Sequence, residues 1–204
     1  MGDWIIQLLP SLAGALVGGS MAMLGAWAAV GRDYKLRAKE QKQQERAELR
    51  AFYQAVHAEM SVFWDSYKST IGAALNELNR GEHLPCIAPE FEHFPVYEAK
   101  LSMLGRIGGD DLRQEIVRVY LWLRFLCCHI VAYSEDVRDY YRQSDLVRRS
   151  GQNATWSHKK VRLDALVRAT QAIKLEGGKV GNGISELLPK LEEQIEALGP
   201  AKAS

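Results

Sequence analysis

From Ile5 to Val30 the chain runs for 26 residues without a charged side chain, then breaks into Arg32, Lys35, Arg37, Lys39 and Lys42. No other feature limits its possible folds so sharply. At 1.5 Å per residue a helix of that length reaches roughly 39 Å, more than the ~30 Å hydrocarbon layer of a bilayer. A soluble core helix meets water on one face and is rarely so uniformly uncharged. A cleaved export signal begins with a basic segment; here Met1-Gly2-Asp3 supplies an acid. Ala26-Trp27-Ala28 has the look of a cleavage site, but the bases that follow resist translocation. A permanent anchor accounts for both flanks. Lys and Arg collect on the cytoplasmic side, and Trp4 and Trp27 sit near the two ends, where amphipathic rings favour the interface.

The expectation is therefore a short extracytoplasmic N-terminus (1–4), a transmembrane helix (5–30) and a cytoplasmic remainder on a bacterial inner membrane. Gly14, Gly18, Ala22 and Ala26 recur every four residues, a ladder along which two such helices can approach closely and self-associate. Arg32, Lys35, Arg37 and Lys39 lie near enough to meet anionic headgroups of the membrane lipid. Three cysteines, Cys86, Cys127 and Cys128, form no disulfide framework and fit a reducing compartment. A net charge of +1 provides no general attraction to nucleic acid.

Beyond the anchor the chain reads as all-α. Residues 31–48 lack Pro, and after Gly31 they are helix formers, polar nearly all round. They predict a stalk that continues the membrane helix, with Lys35, Lys39, Lys42, Arg46 and Arg50 on one face. Leu49, Phe52, Val56, Met60, Phe63, Tyr67, Ile71, Ala74 and Leu78 then recur at helical spacing, predicting a helix over about 49–80 that closes at Asn79-Arg80-Gly81. Residues 82–96 hold three prolines and no helical period, so 81–109 reads as a loop with one short helix in it. Asp110 or Asp111 resembles an N-cap for a helix over about 110–142.

In that helix Leu112, Ile116, Val119, Leu123, Leu126, Ile130, Tyr133, Val137 and Tyr140 alternate steps of four and three, the seam of coiled-coil-like packing. Leu121, Trp122 and Phe125 beside it predict cover on a second side. A linker is expected from Arg142 to Trp156, and then a helix over about 156–198. Leu163, Leu166, Thr170 and Ile173 mark its first half, and Ile184, Leu187, Leu191, Ile195 and Leu198 its second. Between them "EGGKVGNG" puts four glycines in eight residues. At about 1 kcal/mol each relative to Ala, these predict a break or kink, with Pro189 in the first turn of a restarted helix. The whole reads as a membrane helix, a stalk and an antiparallel three-helix bundle over 49–198, with a disordered tail at 199–204.

Little here points to chemistry. His83, Cys86, Glu90, Glu92 and His93 form the densest set of metal-binding residue types, without a zinc spacing; His83, Cys86 and His93 are the candidates for a metal-dependent enzyme. Cys127 and Cys128 read as buried structural thiols in an apolar helix. His57 with Glu59, and Asp110 with Asp111, gather no third group for acid–base work. The glycine stretch lacks the order of a phosphate loop, and Asn153-Ala154-Thr155 matches a glycosylation sequon that a cytosolic domain would not use. No cofactor and no small-molecule substrate are expected.

The stretch "FPVYEAKLSMLGRIGGDDLRQEIVRVYLWLR", Phe94 to Arg124, resembles a group of small bacterial single-pass membrane proteins that continue as long helices. The resemblance implies a cytoplasmic helical domain and no particular activity. The layout is also similar to membrane-tethered stator helices such as the ATP synthase b subunit, in architecture alone. Three functions are compatible with these features. The first is a non-enzymatic adaptor acting through protein contacts, including the loop at 82–108 and contacts between copies of itself in a homo-oligomer. The second is a membrane effector, of the phage-exclusion or toxin kind, assembled through the small-residue ladder. The third is the metal enzyme.

Overall fold

The structure, a computed structural model, describes the backbone at residues 3–79, 81–87, 94–150 and 156–199. Side chains are described at residue 27 and at 33–79, 81–87, 94–145 and 159–199. It is all-helical, with no strand among the described residues. Helix α1 covers Asp3–Tyr67, a π turn follows at Lys68–Gly72, and α2 covers Ala73–Glu77. Two short helices, α3 (Pro95–Ala99) and α4 (Leu101–Leu104), precede the long α5 (Asp110–Ser150) and α6 (Trp156–Leu198). Contacts divide the chain into a first unit up to Glu48 and a second unit, Leu49–Pro200.

In the first unit α1 is helical from Asp3, but the side chains of the expected 5–30 span lie outside the described residues, apart from exposed Trp27. Residues 33–46 are exposed throughout, and local pairs fasten them: Arg37 to Asp33 at 2.8 Å and Gln41 to Glu45 at 3.2 Å. Arg50, grouped from sequence with the stalk's basic face, belongs to the second unit. Its Nε donates to the carbonyl of Ile195 at 3.3 Å, a base set against the last turn of α6, where the helix dipole favours positive charge.

The second unit is built on one apolar core shared by α1, α5 and α6. It takes Phe52, Val56, Met60, Phe63 and Tyr67 from α1, Ile71 from the π turn and Leu75 from α2. From Phe63 the steps are four, four and four. An α-helix turns about 100° per residue, so each step of four overshoots a full turn by about 40°. The π turn holds an extra residue and absorbs that drift, so Leu75, rather than the expected Ala74, faces inward. The helix closes at Glu77, ahead of Asn79-Arg80-Gly81. Gly81 lies farther on, at φ 95°, a left-handed conformation glycine adopts without a Cβ penalty.

The α5 seam is buried at Ile116, Val119, Leu123, Leu126, Ile130, Tyr133 and Val137, with Leu112 and Tyr140 half-buried at its ends. The second side is not covered as expected: Leu121 is 50% and Phe125 59% exposed, while Trp122 packs on α6. Asp110 is not a side-chain cap. The Arg113 N–H reaches the Gly109 carbonyl, and Asp110 sits in the first turn, paired with Arg113. The helix also runs past the expected linker start at Arg142 to Ser150, just short of Gly151, the first helix-weakening residue. Among the described residues this is the one helix, over Asp110–Asp145, long and apolar enough to cross a membrane. Its seam is spent on the shared core.

Helix α6 is continuous through both the glycines and Pro189, against the predicted break. Its buried seam runs through Leu166, Thr170, Ile173, Gly177, Val180, Ile184, Leu187 and Leu191, again in steps of four and three, with Gly177 occupying a seam seat and Gly181 and Gly183 buried beside it. Along α6 the contacts descend as they ascend along α1 and α5. Gly177 meets Tyr67 and Gly181 meets Trp64, while Glu192 meets His57 at 3.0 Å. Thr170 meets Tyr133 at 3.3 Å, Gly183 meets Trp122, and Lys190 meets Glu115 at 2.6 Å. So α6 runs against both partners, and α1 and α5 share a direction. This differs from a simple alternation of three antiparallel helices.

Candidate functional site

The glycines of α6 open a groove against the end of α1. A Cβ on Gly177 would lie 2.0 Å from the Tyr67 hydroxyl, and one on Gly181 would lie 2.4 Å from the Trp64 ring. Only bare backbone admits these two aromatics, which stack on each other at 5.1 Å and 11°. On the third side Gly183 takes Trp122, whose ring would stand 2.9 Å from an added Cβ. Gly178, next to Gly177, has nothing within 4 Å and faces open space. The glycines thus seat large rings in a close helix contact, which outweighs their propensity cost of about 1 kcal/mol each.

Between the π turn and α6 this leaves an open surface groove of ≈ 350 Å³, bounded by Trp64, Tyr67, Lys68, Leu75 and Asn76 on one side and Lys174, Gly178 and Asn182 on the other. It continues past Lys174, Gly178 and Asn182 into a recess of ≈ 500 Å³ along Leu175 and Lys179. No acidic side chain lines either part. Lys68 is paired with Asp65 at 2.9 Å and Lys179 with Glu176 at 2.7 Å; Lys174 has no ion-pair partner among the described residues. Tyr67 is 7% exposed, and its hydroxyl has no hydrogen-bond partner among the described residues. That hydroxyl is not sealed in, because no fully buried polar side-chain atom lacks a partner there. Burial pushes the Tyr67 phenol up to about 12, so at neutral pH it is a hydrogen-bond donor.

The residues singled out from sequence go elsewhere. Nδ1 of His83 donates to the Leu84 carbonyl at 2.8 Å and lies 3.3 Å from the Tyr133 hydroxyl. The thiol of Cys86 points to the Ser134 carbonyl at 3.7 Å. These bonds belong to a strap at 83–87 pinned across α5 and α6. Tyr133 and Ser134 donate to the Leu84 and Ile87 carbonyls at 2.5 Å each, and the Leu84 N–H donates to Thr170 at 3.1 Å. His93, Glu90, Glu92 and the sequon at Asn153 lie outside the described residues, and the described ones hold no metal-binding cluster. Of the two adjacent thiols expected to be buried, Cys127 is buried and Cys128 is exposed, since successive residues point about 100° apart on a helix.

Glu59 is separated from its supposed partner His57, which pairs with Glu192. It accepts from the backbone N–H of Val96 at 2.9 Å and of Tyr97 at 3.3 Å, and from the Tyr120 hydroxyl at 2.7 Å. Pro95 opens α3 without an N–H, so this one carboxylate caps the short helix from across the core. Phe63, Phe94, Tyr97 and Tyr120 pack as an aromatic cluster around it. The side chains of Gly14, Gly18, Ala22, Ala26 and Arg32 lie outside the described residues, whereas Lys35, Arg37 and Lys39 are exposed.

Helix propensity alone does not disclose the groove, because it counts each glycine only as a cost. The signal that finds it is the unbroken four-three rhythm running through them. No known protein family, curated protein or solved structure matches this chain.

Proposed function

We propose that the chain is a non-enzymatic, membrane-anchored helical adaptor that acts through protein–protein contacts, including contacts between copies of itself. On this reading residues 5–30 anchor it in a bacterial inner membrane, the N-terminus outside, and Leu49–Pro200 is a cytoplasmic, coiled-coil-like three-helix bundle. One observation carries the reading. A single helix, Asp3–Tyr67, contains both the 26-residue uncharged run and the first core helix of the folded unit. The polar side chains support it: His57, Glu59, His83 and Cys86 each serve as a fastener between elements.

The test is affinity purification of the tagged full chain from membranes in mild detergent, after cross-linking. A stoichiometric protein partner or a cross-linked oligomer is the expected result. Free monomer alone, or recovery in the soluble fraction, would sink the reading. A reporter fused after Ser204 reads the orientation directly.

A further inference from the structure

We propose that the groove between the π turn of α1 and the glycines of α6 binds a small organic monocarboxylate, its carboxylate held by Lys174 and the Tyr67 hydroxyl and its apolar body laid along the Trp64–Tyr67 stack. Three observations select that chemistry. The groove is open to solvent on one side and of a size that takes a small molecule, ≈ 350 Å³. Tyr67 lines the groove, and its hydroxyl is open to solvent with no protein acceptor among the described residues, so it is free to donate to a ligand. The lining carries no acid, and of its three lysines only Lys174 lacks an ion-pair partner among the described residues.

These features also choose among ligands. A cation would face Lys174 across the aromatic pair and is repelled. A phosphate dianion would need a second unpaired base, and Lys68 and Lys179 are already committed to Asp65 and Glu176. One negative charge matches one free ammonium, and a carboxylate accepts from both an ammonium and a phenol. Trp64, Tyr67 and Leu75 offer ring and aliphatic surface for the rest of the molecule. The inference does not depend on the anchor or on any protein partner.

The experiment is calorimetric titration of the full chain in mild detergent with acetate, benzoate and indole-3-acetate, alongside benzamide and inorganic phosphate. Saturable one-to-one binding is expected from the carboxylates, tightening with apolar bulk, and none from benzamide or phosphate. Lys174→Gln should weaken benzoate binding at least about tenfold, the loss of one charge-assisted hydrogen bond. Tyr67→Phe should weaken it several-fold. Gly178→Phe, whose side chain starts in open space, should fill the groove and abolish binding while the helical circular dichroism and melting are retained. The proposal is overturned if no carboxylate saturates, if benzamide or phosphate binds as well as benzoate, or if Lys174→Gln and Gly178→Phe leave the affinity unchanged.

Discussion

The α5 seam and the middle of α6 face the same core with the same alternation of steps, yet they fill it by opposite means. On α5 every seat is a branched or aromatic side chain, from Ile116 to Val137. On α6 the rhythm passes through Gly177, where the seat is empty and Tyr67 comes across from α1 to fill it. The first surface supplies its own bulk; the second receives its neighbour's. Deleting atoms should therefore damage α5, and adding atoms should damage α6.

The largest expected effect tests the first half of that contrast. Leu123→Ala removes a fully buried side chain from the seam and should cost about 2–5 kcal/mol of unfolding free energy, followed by denaturant titration of the full chain in detergent. A loss no larger than that of an exposed-site control such as Leu121→Ala would show that the seam is not what holds the unit together. Next come Gly177→Ala and Gly181→Ala, which drive a methyl into Tyr67 and Trp64 and should each cost about 1–3 kcal/mol. Pairing Gly181→Ala with Trp64→Ala should give a double-mutant coupling that restores part of the loss.

A smaller effect of opposite sign sharpens the comparison most. Gly178→Ala, one residue along, adds its methyl to open space and should stabilise by about 0.5–1 kcal/mol through helix propensity. Neighbouring glycines that respond alike would mean the close approach of Tyr67 has no energetic weight. The smallest effect is in pH. Tyr67 ionises near 10.0 in the unfolded chain and is pushed to about 12 in the folded one. The unfolded state therefore releases its proton first, and the contribution of Tyr67 to stability is full below pH 10 and is lost as pH rises from 10 towards 12. Tyr67→Phe should make that part of the alkaline unfolding profile shallower without flattening it, because burial also raises Tyr53, Tyr97, Tyr120 and Tyr133.

How far the sequence discloses this fold follows from what each element depends on. The α5 seam was legible because its pattern is local: every second turn repeats the same residue type. So was the apolar stripe of α1 as far as Tyr67. The π turn was hidden, since steps of three or four look helical until the accumulated drift is counted through Ile71 and Leu75. The value of the α6 glycines is not legible in the sequence, because it depends on rings carried by other helices, Tyr67 and Trp64 on α1 and Trp122 on α5. Glu59 shows the same limit: a carboxylate beside a histidine suggests acid–base chemistry, and only the returning segment at Val96 and Tyr97 shows it to be a cap. Phe125 is exposed although the sequence predicts cover, because apolar character alone does not fix burial and surfaces keep many such residues.

The π turn at Lys68–Gly72 has one consequence for how this chain can vary in length. Elsewhere along α1 the loss of a single residue would swing everything beyond it by about 100° and turn the buried side chains out of register. Here the backbone already carries a surplus position, so excision of Ser69 would relax the wide turn to an ordinary one. Ile71 and Leu75 would keep their bearings. The segment is thus a splice point at which a descendant of this sequence could be one residue shorter and still place its next helix correctly.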